Sequence, residues 1–113
     1  MRSPTQRTDE ELVADAAEGD DSAFREIVAR HERLVRSTVA GMLGYRPEVD
    51  DVAQEVFIRF YRSLDQFRGD AKLSSYLCRI AINLTLNEIK SRKSRLRVID
   101  PECRDNRQQL HLA

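Results

Sequence analysis

The chain has only two cysteines in 113 residues, Cys78 and Cys103, and neither forms a C-x-x-C pair or joins His31 and His111 at metal-ligand spacing. That argues against a disulfide framework or a structural metal, and a reducing compartment is expected. No apolar run approaches the roughly 18 residues of a membrane span, and the opening MRSPTQRTDEE lacks the apolar centre of a secretory signal. A cytoplasmic protein without membrane insertion is the expectation. Also missing are a Gly-rich phosphate cradle, H-E-x-x-H and G-x-S-x-G. The acidic neighbours Asp50 and Asp51 would lie about 100° apart around a helix, too divergent for paired acid and base work. An enzyme is not expected, nor any cofactor. No segment alternates with the period of two that strands need, and no internal repeat or Gly-Ser linker precedes residue 98.

What is present is helical periodicity, with 41% apolar content and a length that suits one domain. Thr8 opens a capping box with Glu11, and Leu12, Val13, Ala16 and Ala17 follow until Gly19. Asp20, Asp21 or Ser22 caps a second helix, whose stripe is Phe24, Ile27, Val28, His31, Leu34, Val35, Thr38, Val39 and Met42, ending near Gly44. His31, alone on that apolar stripe, reads as a packed residue rather than a ligand. Pro47 suits the first turn of a third helix, with Glu48, Asp50 and Asp51 at the positive end of its dipole. Val49, Val52, Ala53, Val56, Phe57, Phe60, Tyr61 and Leu64 form its inward face. Asp70 or Ser74 caps a fourth helix running to about Arg95, with Leu73, Tyr76, Leu77, Ile80, Ala81 and Leu84 inward and a second apolar line at Ile82, Leu86 and Ile89. The expected fold is all-α, a compact bundle of about four helices over residues 1–97, followed by a polar tail or linker over 98–113.

The formal net charge of zero conceals a division. Residues 1–67 hold nine Lys and Arg against fourteen Asp and Glu, whereas residues 68–113 hold ten against five. The basic part suits a polyanion through counterion release, and the acidic part suits a protein surface.

Between the third and fourth helices, DQFRGDAKLSSYLCRIAIN places a Gly-centred loop before a helix with aromatic and basic residues at its mouth. Phe67 and Tyr76 offer flat faces for stacking an unpaired base. Arg68, Lys72 and Arg79 offer charge for phosphates, Asn83 carries both a donor and an acceptor, and Gly69 lets the backbone come close. On the third helix, Asp51, Gln54, Glu55, Ile58 and Arg59 share the face opposite the core, an acidic strip with an apolar centre.

Taken together, DDVAQEVFIRFYRSLDQFRGD and SSYLCRIAIN resemble region 2 of the bacterial RNA polymerase sigma factors of the extracytoplasmic function group, across roughly Asp9 to Arg97. The resemblance implies that Asp51, Gln54, Glu55, Ile58 and Arg59 dock on the clamp helices of the β′ subunit of core RNA polymerase. It implies that Phe67, Arg68, Gly69, Asp70, Lys72, Ser74, Ser75, Tyr76, Arg79 and Asn83 bind the promoter −10 element. There they would melt the duplex and hold a flipped base of the non-template single strand. The basic end of the fourth helix, Lys90, Arg92, Lys93, Arg95 and Arg97, would lie near promoter phosphates. An anti-sigma factor is implied as a further partner.

Two departures stand out. The family it resembles usually carries Trp at the position of Tyr76 in this chain. The region 4 domain that reads the −35 element has no counterpart here, so a shortened factor or a stand-alone variant is expected, able to recognise at most half of a promoter. The competing reading is a helical interaction module or decoy that binds polymerase or an anti-sigma factor and never touches DNA. A conventional duplex-reading helix-turn-helix is disfavoured, because no short Gly turn leads into a polar, base-reading helix.

Overall fold

The computed structural model describes residues 6–67, 69 and 71–99, with side chains to residue 94. Four α-helices form, α1 (Asp9–Ala17), α2 (Asp21–Leu43), α3 (Glu48–Arg62) and α4 (Leu73–Ile99), with a 3-10 turn at Leu64–Gln66. No strand occurs among the described residues.

Local chemistry sets most of the boundaries. Thr8 caps α1 with both halves of its box made: the Glu11 N–H donates to the Thr8 hydroxyl at 3.1 Å, and the Thr8 N–H donates to the Glu11 carboxylate at 2.9 Å. Asp20 is the cap of α2, accepting from the N–H groups of Ser22 and Ala23. At Gly44, φ of +87° takes the backbone into a region that L side chains rarely adopt, and α2 stops. Pro47 sits one residue ahead of α3 rather than inside its first turn, and makes no side-chain cap bond. Ser74 lies inside α4 rather than at its cap, and Asp70, the other expected cap, is outside the described residues. The helix continues to Ile99, beyond the expected stop near Arg95.

α2 is the hub, packing on each of the other three helices, while α3 also packs on α4 and α1 on the 3-10 turn. Its buried residues, Ala23, Ile27, His31, Val35, Val39 and Leu43, fall at every fourth position. Each such step overshoots a full turn by about 40°, so the seam winds around the helix and meets several neighbours in succession. Leu34 and Met42, expected on the inward stripe, are exposed for that reason. The second apolar line of α4 is likewise uncovered at Ile82 and Leu86. Thr85 is fully buried despite its hydroxyl, which donates to the Ala81 carbonyl at 2.7 Å.

The α1–α2 corner is held by charge. Arg7 pairs with Asp15 and, at 3.2 Å, with Asp20. Arg30 reaches Asp9 at 3.2 Å and Glu26 at 2.9 Å. His31 Nε2 lies 3.3 Å from the Asp9 carboxylate, near enough to interact yet off the line of a hydrogen bond. His31 is thus a core-edge residue, as its sequence position suggested.

Asp20 is held below its ordinary value of 3.8, at about 2, first by the Ser22 hydroxyl, then by the Ala23 N–H and by Arg7. A carboxyl lowered in the folded state stabilises above its unfolded value, and that contribution disappears as pH falls from about 4 toward about 2. Melting temperatures followed by circular dichroism should therefore decline across that interval, and Asp20→Ala should melt lower at neutral pH with a shallower acid decline. Parallel curves for the two proteins would show that Asp20 is not an acid-sensitive tie.

Candidate functional site

The loop after α3 is built on its own aromatic post. Phe60 is 0% exposed. The Phe67 ring meets it edge-on with centroids 6.5 Å apart, and Tyr76 does so at 5.8 Å. Phe67 and Tyr76 then contact each other edge-to-face at 5.1 Å, and the Tyr76 hydroxyl lies 3.4 Å from Ser63 Oγ. Both rings are half-buried. Tyr76 is therefore built into the packing that props Phe67.

Phe67 also borders an open cleft of about 290 Å³ between the loop and α1. Val13, Ala14, Ala17 and Leu64 supply apolar wall, Gly69 supplies backbone, and Glu10 and Asp65 supply carboxylates. At Gly69, φ is +78° and an added Cβ would meet nothing within 4 Å, so glycine is needed for the backbone turn rather than for space. Sequence reasoning placed the loop half of this cleft and missed the α1 half. Nothing in the spacing of Glu10, Val13, Ala14 and Ala17 distinguishes them from an ordinary helix surface.

From Lys72, immediately ahead of α4, Ser75, Arg79 and Asn83 follow at intervals of three and four; all four are exposed, and the three helical ones share one face from the loop outward. Ser74 is half-buried. This row and the cleft converge at the loop, with Phe67 bordering the cleft on one side and touching Tyr76 on the other. Arg68 and Asp70 lie outside the described residues. Farther along, Lys90 is exposed and Lys93 half-buried. Arg92 is engaged instead by carboxylates, 3.1 Å from Glu48 and 3.8 Å from Glu88, and ties α4 to the start of α3. The side chains of Arg95 and Arg97 are outside the described set, as are residues 100–113.

On α3, Asp51, Gln54 and Arg59 are exposed, Glu55 is half-buried, and Ile58 is 42% exposed. Arg59 Nε donates to Glu55 at 3.3 Å within the strip. Asp51, Glu55 and Arg59 also form one wall of a groove of about 370 Å³, and Leu84, Asn87 and Ser91 of α4 form the other. That second wall was not legible in the sequence, where these residues sit far from the third helix. Another hollow, about 570 Å³, lies at the opposite end of α3 from the loop, among Arg33, Arg36, Tyr45 and Arg46. It includes none of the expected site residues, and an Arg36–Asp50 pair forms part of its lining.

A family model described as Sigma-70 region 2 matches residues 27–95. The RNA polymerase sigma-H factor of Pseudomonas aeruginosa is 37% identical over 91 residues, 80% of this chain and 47% of the relative. The ECF RNA polymerase sigma-E factor of Escherichia coli K12 is 44% identical over 84 residues, 73% of this chain and 42% of the relative. The chain thus spans less than half the length of these two relatives. A solved complex of an engineered region 2 of sigmaE with GTAAAA superposes with a TM-score of 0.74 at 38% identity, covering 85% of this chain and 98% of that one.

Proposed function

The chain belongs to the sigma-70 region 2 family, and from that premise we propose that it is a promoter-recognition module for core RNA polymerase. In this reading the α3 strip docks on the β′ clamp helices. The loop and the α4 row bind the −10 element and capture a flipped base of the non-template strand. The observation that carries it is the meeting, at one loop, of an open cleft bordered by Phe67 with the exposed row Lys72, Ser75, Arg79 and Asn83. The relative solved with GTAAAA supports it.

Melting then needs no nucleotide hydrolysis. Unpairing costs a few kcal/mol, and stacking at about 1–3 kcal/mol per captured base together with phosphate contacts offsets it. The protein selects the open form of DNA by binding it better. Lys72 and Arg79 attract the backbone, while the Asn83 amide, with donor and acceptor side by side, is suited to a base edge. The cytoplasm is the place of action, and an anti-sigma factor that covers the α3–α4 groove would keep the module from polymerase.

Fluorescence anisotropy of a labelled oligonucleotide containing GTAAAA tests the DNA half. Single strands should bind more tightly than the matching duplex, affinity should fall with rising salt, and Asn83→Ala should cost about tenfold, the scale of one base-directed contact. Equal binding to all strands, with Asn83→Ala silent, would instead favour an interaction module that does not read DNA.

A further inference from the structure

We infer that Arg92 is a positioning residue for polymerase docking rather than a contact to promoter phosphates: by holding Glu48 of α3 and Glu88 of α4 on one guanidinium, it sets the spacing of the two helices where their groove opens. The inference rests on the docking role proposed above for the α3 strip, and it gives a different task to a side chain that the resemblance placed near DNA.

α3 and α4 run antiparallel. At the loop end Tyr76 of α4 meets Phe60 of α3, with ring centroids 5.8 Å apart, and at the far end Arg92 Nη2 of α4 lies 3.1 Å from Glu48 Oε2 of α3. Apolar packing fixes the loop end, for Leu73, Leu77, Ala81 and Thr85 are all buried. Beyond Thr85 no residue of α4 up to Ser94 is buried, and Ile89 is half-buried against the core. The groove of about 370 Å³ opens in that stretch, between Asp51 and Glu55 of α3 and Leu84, Asn87, Glu88 and Ser91 of α4. Arg92 thus supplies a tie where burial has fallen away.

Glu48 Oε2 is shut off from solvent and sits off the line of a hydrogen bond. The guanidinium compensates its charge, and Nε of the same group stands 3.8 Å from Glu88. Without the cation, two carboxylates from different helices are left together with one oxygen buried, which costs more than losing an exposed ion pair. Admitting water between the helices relieves that cost, and α4 moves away from α3 as it enters. Glu88 is both a partner of Arg92 and a wall of the groove, so its distance from Asp51 changes with that movement. A guanidinium already matched by carboxylates also gains little from a phosphate, because its charge is offset before DNA arrives.

The test titrates the fluorescent chain with purified core polymerase and, in parallel, with a single-stranded oligonucleotide containing GTAAAA over a range of salt. Arg92→Ala should weaken polymerase binding by about tenfold, between the effects of an exposed and a desolvated charge pair. On DNA it should leave the slope of log affinity against log salt unchanged, whereas a lost phosphate contact lowers that slope by about 0.7. Glu48→Gln added to Arg92→Ala removes the uncompensated charge and should bring polymerase affinity back to within about threefold of the parent. Hydrogen exchange adds a readout that a direct contact would not move: in Arg92→Ala the amides from Leu86 to Ser94 should exchange about tenfold faster, and those from Leu77 to Thr85 at the parent rate. Unchanged polymerase affinity in Arg92→Ala, with or without a lower salt slope on DNA, would overturn the inference. So would a polymerase defect that Glu48→Gln does not relieve and that leaves exchange along α4 unaltered; docking by α3 would then stand, with Arg92 touching the polymerase directly. Failure of the parent chain to bind polymerase would overturn both.

Discussion

Phe60→Ala is expected to lower the unfolding free energy by about 3–5 kcal/mol, the cost of removing a buried aromatic ring and leaving a cavity. The ring is fully buried, and Phe24, Phe67 and Tyr76 all lie against it, with the Phe24 ring stacked at 6.3 Å. Three neighbours anchored on separate elements cannot all collapse into the gap. The loss would be felt at the loop as well, because Phe67 and Tyr76 hold their positions by leaning on this post. Urea unfolding should show a lower midpoint with an unchanged slope. Single-strand affinity, measured at a temperature where the variant remains folded, should fall with it. Tyr45→Ala is the matching control: that ring is 98% exposed, and its removal should change stability by no more than about 0.5 kcal/mol. A Phe60→Ala protein with wild-type midpoint and wild-type DNA affinity would contradict the packing described.

Asp51→Lys with Glu55→Lys should weaken binding to core RNA polymerase by at least about a hundredfold while leaving single-strand DNA affinity within about twofold. Breaking a close charge pair at a protein interface commonly costs about 2–5 kcal/mol, and reversal adds repulsion. The strip lies on α3, and the groove it borders is lined on α4 by Leu84, Asn87 and Ser91 rather than by Ser75, Arg79 or Asn83. Asp51 also favours the start of α3 by its charge, a contribution of about 0.3–1 kcal/mol that the fold should tolerate losing. Titration of fluorescent protein with purified core polymerase, paired with the oligonucleotide assay, separates the two surfaces. Retained polymerase affinity would remove α3 as the docking element. Loss of both activities together would point instead to a fold disturbed by the substitutions.

Several of the structure's features are short-range and were readable as such. The capping box of Thr8 and Glu11, the Asp20 cap and the Gly44 stop all involve groups within four residues of one another, so the sequence states both partners of each interaction. The α3 strip was legible for the same reason, since helical spacing alone places Asp51, Gln54, Glu55, Ile58 and Arg59 on one side. Where periodicity misled, the cause was the neighbour rather than the helix. Leu34 and Met42 belong to the apolar stripe of α2, but the seam its neighbours cover steps by four residues and winds past them. Thr85 was overlooked because a hydroxyl reads as polar until its own backbone is seen to satisfy it. Tyr61 was expected inward and is 51% exposed, its ring edge resting on Phe24 at 5.0 Å.

The four helices and their order were determined by the sequence itself, because helix hydrogen bonds and caps are satisfied within a turn or two of the chain. Only tertiary structure decided that α1 faces the loop to form a cleft with Glu10 and Asp65 on its border, that Tyr76 supports Phe67, and that Arg92 is engaged by Glu48. Those arrangements join residues on different helices, and their geometry depends on how the buried seams pack against one another, which no spacing along a single segment encodes.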